Sequence, residues 1–172
     1  MTIRKIITVP HPTLRRRARK VTNFGPELQT LIDDMVDTMR DEPGVGLAAP
    51  QVDISLQVIV VEFGDEEDEA VEPRLYAMVN PEITRASQET VIGTEGCLSI
   101  PGFVGNVERN ESITVQGLSR RGQPMKIKAK GWLARIFQHE IDHLNGVLFT
   151  DRASEIWRLE PAEQAEQVSA TD

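Results

Sequence analysis

His139-Glu140-Ile141-Asp142-His143 sets two histidines four residues apart around a glutamate. On a helix, that spacing puts both imidazoles on one face, one turn apart, where they can ligate a single metal ion. Glu140 follows the first histidine and can reach a water on that ion without being a ligand. Two of the chain's three histidines fall here, flanked by apolar residues. The competing explanation is a surface helix with chance histidines, and the joint occurrence of spacing, glutamate and apolar flanks favours the metal.

A catalytic ion commonly takes three protein ligands and leaves a position for water. Extended zinc-protease motifs place a glycine three residues past the second histidine and a third histidine three further on. Here Gly146 fits, but Phe149 cannot ligate. Glu155, Glu160 and Glu163 could serve, yet they follow an expected strand and lie in an acidic stretch interrupted by Pro161. Cys97, the only cysteine, is the better candidate. It sits in Glu95-Gly96-Cys97-Leu98-Ser99, where Gly96 allows close backbone approach and a thiolate would bind iron, zinc or nickel strongly. Taken alone, a lone cysteine is more often a buried thiol without chemistry. Asp142 is read as a supporting carboxylate, not a second acid.

These groups need rigid elements. Lys130 to Asn145 reads as a helix with Leu133, Ile136, Phe137, Ile141 and Leu144 in an apolar stripe, closed by Asn145-Gly146. An earlier helix spans Gly25 to Arg40, with Leu28, Leu31, Ile32, Met35, Val36 and Met39 inward and Asp33, Asp34 and Asp37 opposite. Leu56 to Phe63 reads as a mostly buried strand. Leu75 to Val79, Thr90 to Ile92, Ser112 to Gln116 and Met125 to Ala129 read as shorter ones, the last two joined by a turn at Arg120-Arg121-Gly122. Val147 to Phe149 is expected to return as a short strand, and Gly64 to Pro73 to be an acidic surface loop. Strands without regular helix alternation indicate an α+β domain. Small mixed or antiparallel sheets would pack around the HExxH-bearing helix, with a further N-terminal helix. The expected division is a metallohydrolase domain over 1–152 and an acidic tail over 153–172, partly helical or mobile.

The formal net charge of −8 argues against nucleic acid as a general partner. Arg15 to Lys20 is the local exception and reads as a solvated loop or edge. One cysteine allows no intrachain disulfide and points to a reducing compartment. No apolar run is long enough to cross a bilayer, and the first residues lack the features of a signal peptide. A cytoplasmic location without membrane contact is expected.

Three motifs stand together: Gly44-Val45-Gly46-Leu47-Ala48-Ala49-Pro50-Gln51, Glu95-Gly96-Cys97-Leu98-Ser99, and Gln138-His139-Glu140-Ile141-Asp142-His143-Leu144-Asn145-Gly146. In order, spacing and content the chain resembles peptide deformylases of the bacterial type, from the first helix through Arg152. That resemblance implies removal of the formyl group from N-terminal formyl-methionine, with release of formate. It implies a metal held by Cys97, His139 and His143, ferrous iron above all, with zinc or nickel as alternatives. It implies Glu140 as general acid and base, Gln51 and the Leu98 N–H as an oxyanion hole, and Gly46 as a contact for the substrate backbone. The methionine would need an apolar slot. Ile136 and Trp132 precede His139 by three and seven residues and so share its helix face; plain core packing is an equal explanation for both. Val45 could close that slot, with Arg135 at its mouth. An extended peptide could pair with strand edges near Gly44–Gly46 or Gly102–Gly105, although turn chemistry also accounts for those glycines. The expected partners are N-formylmethionyl nascent peptides, with the ribosome as their source. A metallopeptidase, an inactive binding relative and a structural metal site are the rival readings.

Overall fold

The structure is a computed structural model describing residues 2–65 and 67–160. Pro26–Asp41 forms helix α1, with Pro26 in the first turn, where its missing N–H costs nothing. Its apolar residues at helical spacing are buried as expected. Asp34 is buried too, against expectation. Its carboxylate accepts hydrogen bonds from the Thr2 N–H (2.9 Å) and Arg4 Nε (3.0 Å), so the N-terminal segment covers that face of α1.

Two antiparallel sheets follow. The larger has the order β1-β2-β3-β6-β7, where β1 is Gly46–Ala48, β2 Val58–Phe63, β3 Arg74–Ala86, β6 Ser112–Leu118 and β7 Pro124–Lys130. The smaller has the order β4-β5-β8, from Thr90–Gly96, Phe103–Asn110 and Glu155–Arg158. Helix α2, Gly131–Leu144, touches both. Strand β2 shows how the layers stack. Val58 and Val60 join the core under α1, while Ile59 and Val61 join the core against α2. Where a strand is covered on both faces it is apolar at successive positions, which accounts for the unbroken run Val58 to Val61.

Several elements depart from expectation. Strands β3 and β4 run longer, because Glu82–Ala86 pairs with β6 and Gly93–Gly96 with β5. Strands β1, β5 and β8 were not among the expected strands, although strand edges were looked for near Gly44–Gly46 and Gly102–Gly105. Phe103 to Asn110 contains two asparagines, a glutamate and Arg109, and cross-strand partners hold it where propensity does not. The expected strand at Val147–Phe149 is absent. Phe149–Arg152 is instead one helical turn, α3, started by the Asp151 carboxylate accepting the Leu148 N–H at 2.9 Å. Residues 155–158, expected in the tail, form β8 and pair with Phe103–Asn106. The rest of the expected tail, residues 161–172 with Glu163, lies outside the described residues.

Arg15, Arg16, Arg17, Arg19 and Lys20 are exposed around a short 3-10 turn, as a solvated edge should be. Among the described residues no helix is long and apolar enough to cross a membrane.

Candidate metal centre

Three local structures converge on one point. The end of β4 delivers Glu95, Gly96 and Cys97, and the middle of α2 delivers His139, Glu140 and His143. Strand β1 and the 3-10 turn Ala49–Val52 deliver Gly46 and Gln51. The potential ligand atoms of Cys97, His139 and His143 all lie within 4.8 Å of one another, and all three residues are buried. Cys97 Sγ is 3.4 Å from His143 Nε2.

Glu95 fixes the other imidazole. His139 Nδ1 lies 2.9 Å from Glu95 Oε1, so it donates there and turns Nε2 toward the centre. Among the described residues, His139 Nε2, His143 Nδ1 and Glu140 Oε1 are buried with no group in hydrogen-bonding geometry. Such groups are costly unless something completes them. A divalent cation would take the lone pair of His139 Nε2, and water beside it would satisfy Glu140. The thiolate and two imidazoles suit a borderline-soft ion such as iron, zinc or nickel, so the residues fit the expected metal. Phe149 stands where a longer motif would have its third histidine, and it stacks on His139 with ring centroids 6.3 Å apart.

A buried ionic network surrounds the histidines. Glu95 accepts two hydrogen bonds from Arg109, at 2.8 Å each, and one from Arg135 Nη1 at 2.7 Å. Burial alone would raise the Glu95 pKa, but Arg109 and His139 hold it well below the usual carboxylate range. Arg109 also donates to Asp142 at 2.6 Å, and Arg152 Nε holds the same carboxylate at 2.7 Å. Asp142 therefore braces Arg109 and takes no place beside the ligands. Glu140 differs from both. Burial pushes its pKa up to about 7, although the His139 charge pulls the other way. Burial pulls the His139 pKa down, yet its contacts with Cys97, Glu95 and Glu140 leave it raised. Burial, then His139 and Arg109, lower His143. A bound cation would displace the extra proton of His139, keep His143 neutral and stabilise the Glu140 carboxylate.

Val45, Trp132 and Ile136 line one cavity together with Glu95, Gly96, Arg135, His139 and Glu140. Arg135, expected at the mouth of this slot, is instead buried in its wall. It donates to Glu95, to the Val107 carbonyl (2.9 Å) and to the Val91 carbonyl (2.7 Å). Gly93 makes room for it, since a Cβ there would lie 2.8 Å from the Arg135 guanidinium carbon. Gly46 is equally constrained, because a Cβ would collide with the Glu140 carboxylate. Gln51 Nε2 lies 3.6 Å from Cys97 Sγ and 3.2 Å from Ser99 Oγ, while its Oε1 accepts the Ala48 N–H at 3.0 Å. Leu98 follows Cys97 directly and packs partly into the core beneath α1.

The Gly102–Gly105 segment is not a free edge. Phe103 to Gly105 lies in the central strand of its sheet, and Gly105 pairs with Glu95 on one side and Ile156 on the other. A peptide has no place to pair there, whereas β1 and β4 are edge strands whose ends border the cavity. Sequence reasoning missed the parts played by Glu95, Arg109 and Ser99. Glu95 and Ser99 lay in view within the cysteine motif, but their partners are distant in sequence.

Residues 3–158 match the sequence profile of the polypeptide deformylase family. A peptide deformylase of Natranaerobius thermophilus is 48% identical over 160 residues, covering 93% of this chain and 98% of the relative. One from Campylobacter jejuni is 47% identical over 152 residues, 88% of this chain and 87% of the relative. The crystal structure of peptide deformylase from Thermotoga maritima superposes with a TM-score of 0.83 at 41% identity, over 90% of this chain and 100% of that one. A Met-Ala-Ser-bound class I type b peptide deformylase from Acinetobacter baumannii gives 0.81 at 39% identity, over 88% and 98%.

Proposed function

The chain belongs to the peptide deformylase family, and from that premise we propose that it is a metal-dependent amide hydrolase of the cytoplasm. It removes the N-formyl group from the formyl-methionine of newly synthesised proteins as they leave the ribosome, and releases formate. One observation carries the reading: the buried Cys97–His139–His143 donor set with Glu140 beside it, whose Oε1 has no hydrogen-bond partner among the described residues.

A divalent ion on those three residues, ferrous iron in our reading with zinc or nickel able to replace it, would lower the pKa of a water and polarise the formyl carbonyl. Glu140 takes a proton from the attacking water as its oxygen bonds to the formyl carbon. Negative charge gathers on the former carbonyl oxygen. Gln51 Nε2 and the Leu98 N–H donate to it, and one such donor is typically worth about 2.7–4 kcal/mol of barrier. The C–N bond then breaks. Glu140 delivers its proton to the departing amine, leaving formate and a free methionine N-terminus. Glu95 keeps His139 in the tautomer that presents Nε2. Val45, Trp132 and Ile136 enclose the methionine side chain, and the backbone at Gly46 meets that of the substrate. The Met-Ala-Ser bound to the Acinetobacter relative is what this reaction would leave from a formylated tripeptide.

The test is formate release from formyl-Met-Ala-Ser by protein purified without oxygen and loaded with iron or nickel. Internal peptide fragments in place of formate would establish a peptidase. No turnover by metal-replete protein would sink the deformylase reading and favour that of a binding protein.

A further inference from the structure

Gln51 and Ser99 are both fully buried and far apart in sequence, yet three connections lock them together. The backbone carbonyl of Gln51 accepts the Ile7 N–H at 2.8 Å, and that of Ser99 accepts the Val9 N–H at 2.9 Å. One extended segment thus clasps both. Between the side chains, Gln51 Nε2 donates to Ser99 Oγ at 3.2 Å. Ser99 is 0% exposed and Gln51 1%, so the bond is shielded from bulk solvent.

The direction of the carboxamide follows from chemistry. The Ala48 N–H can only donate, so the Gln51 atom facing it at 3.0 Å must be the oxygen. Nε2 then lies on the opposite side, with two N–H groups to place. Ser99 Oγ takes one, and Cys97 Sγ, a weak acceptor at the metal centre, takes the other at 3.6 Å, so this second N–H is the one that a stronger acceptor such as an oxyanion there would draw. Without an acceptor at Ser99, the first N–H would be buried and unsatisfied, and the amide would twist about its last torsion to place it.

We propose that Ser99 is a positioning residue for deformylation, holding the Gln51 carboxamide so that its second N–H points at the developing oxyanion. The inference rests on the assignment of Gln51 as an oxyanion donor. Ser99 touches no reacting atom and acts through Gln51 alone. Loss of a whole donor typically costs about 10²–10³ in kcat. Loosening one should cost part of that, about tenfold, in kcat with KM for the peptide unchanged.

The test compares wild type, Ser99→Ala, Gln51→Ala and the double variant on formyl-Met-Ala-Ser. Ser99→Cys, a nearly isosteric exchange to a much weaker acceptor, repeats the single substitution should alanine disturb folding. Proton–nitrogen NMR of the zinc-loaded proteins follows the Gln51 side-chain amide independently of turnover. The expected result is a kcat loss of about tenfold in Ser99→Ala, a shifted or broadened Gln51 amide signal, and no further loss when Ser99→Ala is added to Gln51→Ala. The same loss in both backgrounds, or an unchanged amide signal, would overturn the proposal while leaving the Gln51 assignment standing. Full kcat in Gln51→Ala would instead remove that assignment and Ser99's part with it.

Discussion

Replacing Glu95 by glutamine tests the ionic network and its link to the metal centre together. The wild-type carboxylate receives two hydrogen bonds from Arg109, one from Arg135 and one from His139. The glutamine keeps one oxygen and turns an NH2 toward groups that can only donate. Breaking a buried ion pair from one side costs about 3–5 kcal/mol. Asp142 still neutralises Arg109 and Arg135 keeps two backbone acceptors, so the lower end, about 3 kcal/mol, is expected. That is a large share of the roughly 5–15 kcal/mol by which folded domains exceed unfolded ones. The loss should also depend on pH. Glu95 has its pKa lowered by folding, so its ionisation stabilises the protein fully above the unfolded value, about 4.3, and progressively less as pH falls below it. Urea unfolding of chelator-treated wild type and Glu95→Gln between pH 7 and pH 3.5 reads both effects. The gap between them should be widest near neutrality and shrink on acidification below about pH 4.3. A gap that stayed constant across this range would refute the argument that ionised Glu95 holds the network.

Other outcomes follow from the same geometry. Gly46→Ala should leave folding intact and cut kcat by about 10² or more, because its Cβ pushes aside the Glu140 carboxylate, to which we assign the proton transfer; normal turnover would show that Glu140 has room to work elsewhere. In metal-free protein, the Glu140 carboxyl should titrate near 7 by infrared spectroscopy of the Glu140→Gln difference, and adding zinc should shift it down; a metal-insensitive signal would separate Glu140 from the ion. Ile136→Ala should weaken discrimination for formyl-methionine over formyl-alanine peptides by roughly 10–200-fold, the range set by one or two lost apolar contacts. An unchanged ratio of kcat/KM would place Ile136 in the core only.

The sequence is clearest where structure is local. Helix α2 and its histidines could be read because periodicity and ligand spacing lie within fourteen residues. The same holds for α1, apart from Asp34, whose burial depends on a segment thirty residues earlier. Val147–Phe149 misled because a short apolar run fits a strand and a helical turn equally, and the deciding atom is the Asp151 carboxylate. Strand β5 was invisible because Arg109 and two asparagines argue against a strand, and only the partners from β4, β8 and α2 make it one. At the site, the ligand motifs were plain. The groups that hold them were not, because Glu95 meets Arg109 and Arg135 across fourteen and forty residues.

Arg135 gives the cavity a wall that cannot be remodelled in isolation. It borders the slot, while its guanidinium ties Glu95 to the carbonyls of Val107 and Val91. A smaller residue there would widen the slot but leave Glu95 short of a cation, and His139 is held by that same carboxylate. Any substitution at Gly93 drives into the guanidinium. An inhibitor pressed against this wall would therefore meet a surface with few routes of mutational escape, since reshaping the lining loosens the anchor of His139, one of the three residues that could hold the metal.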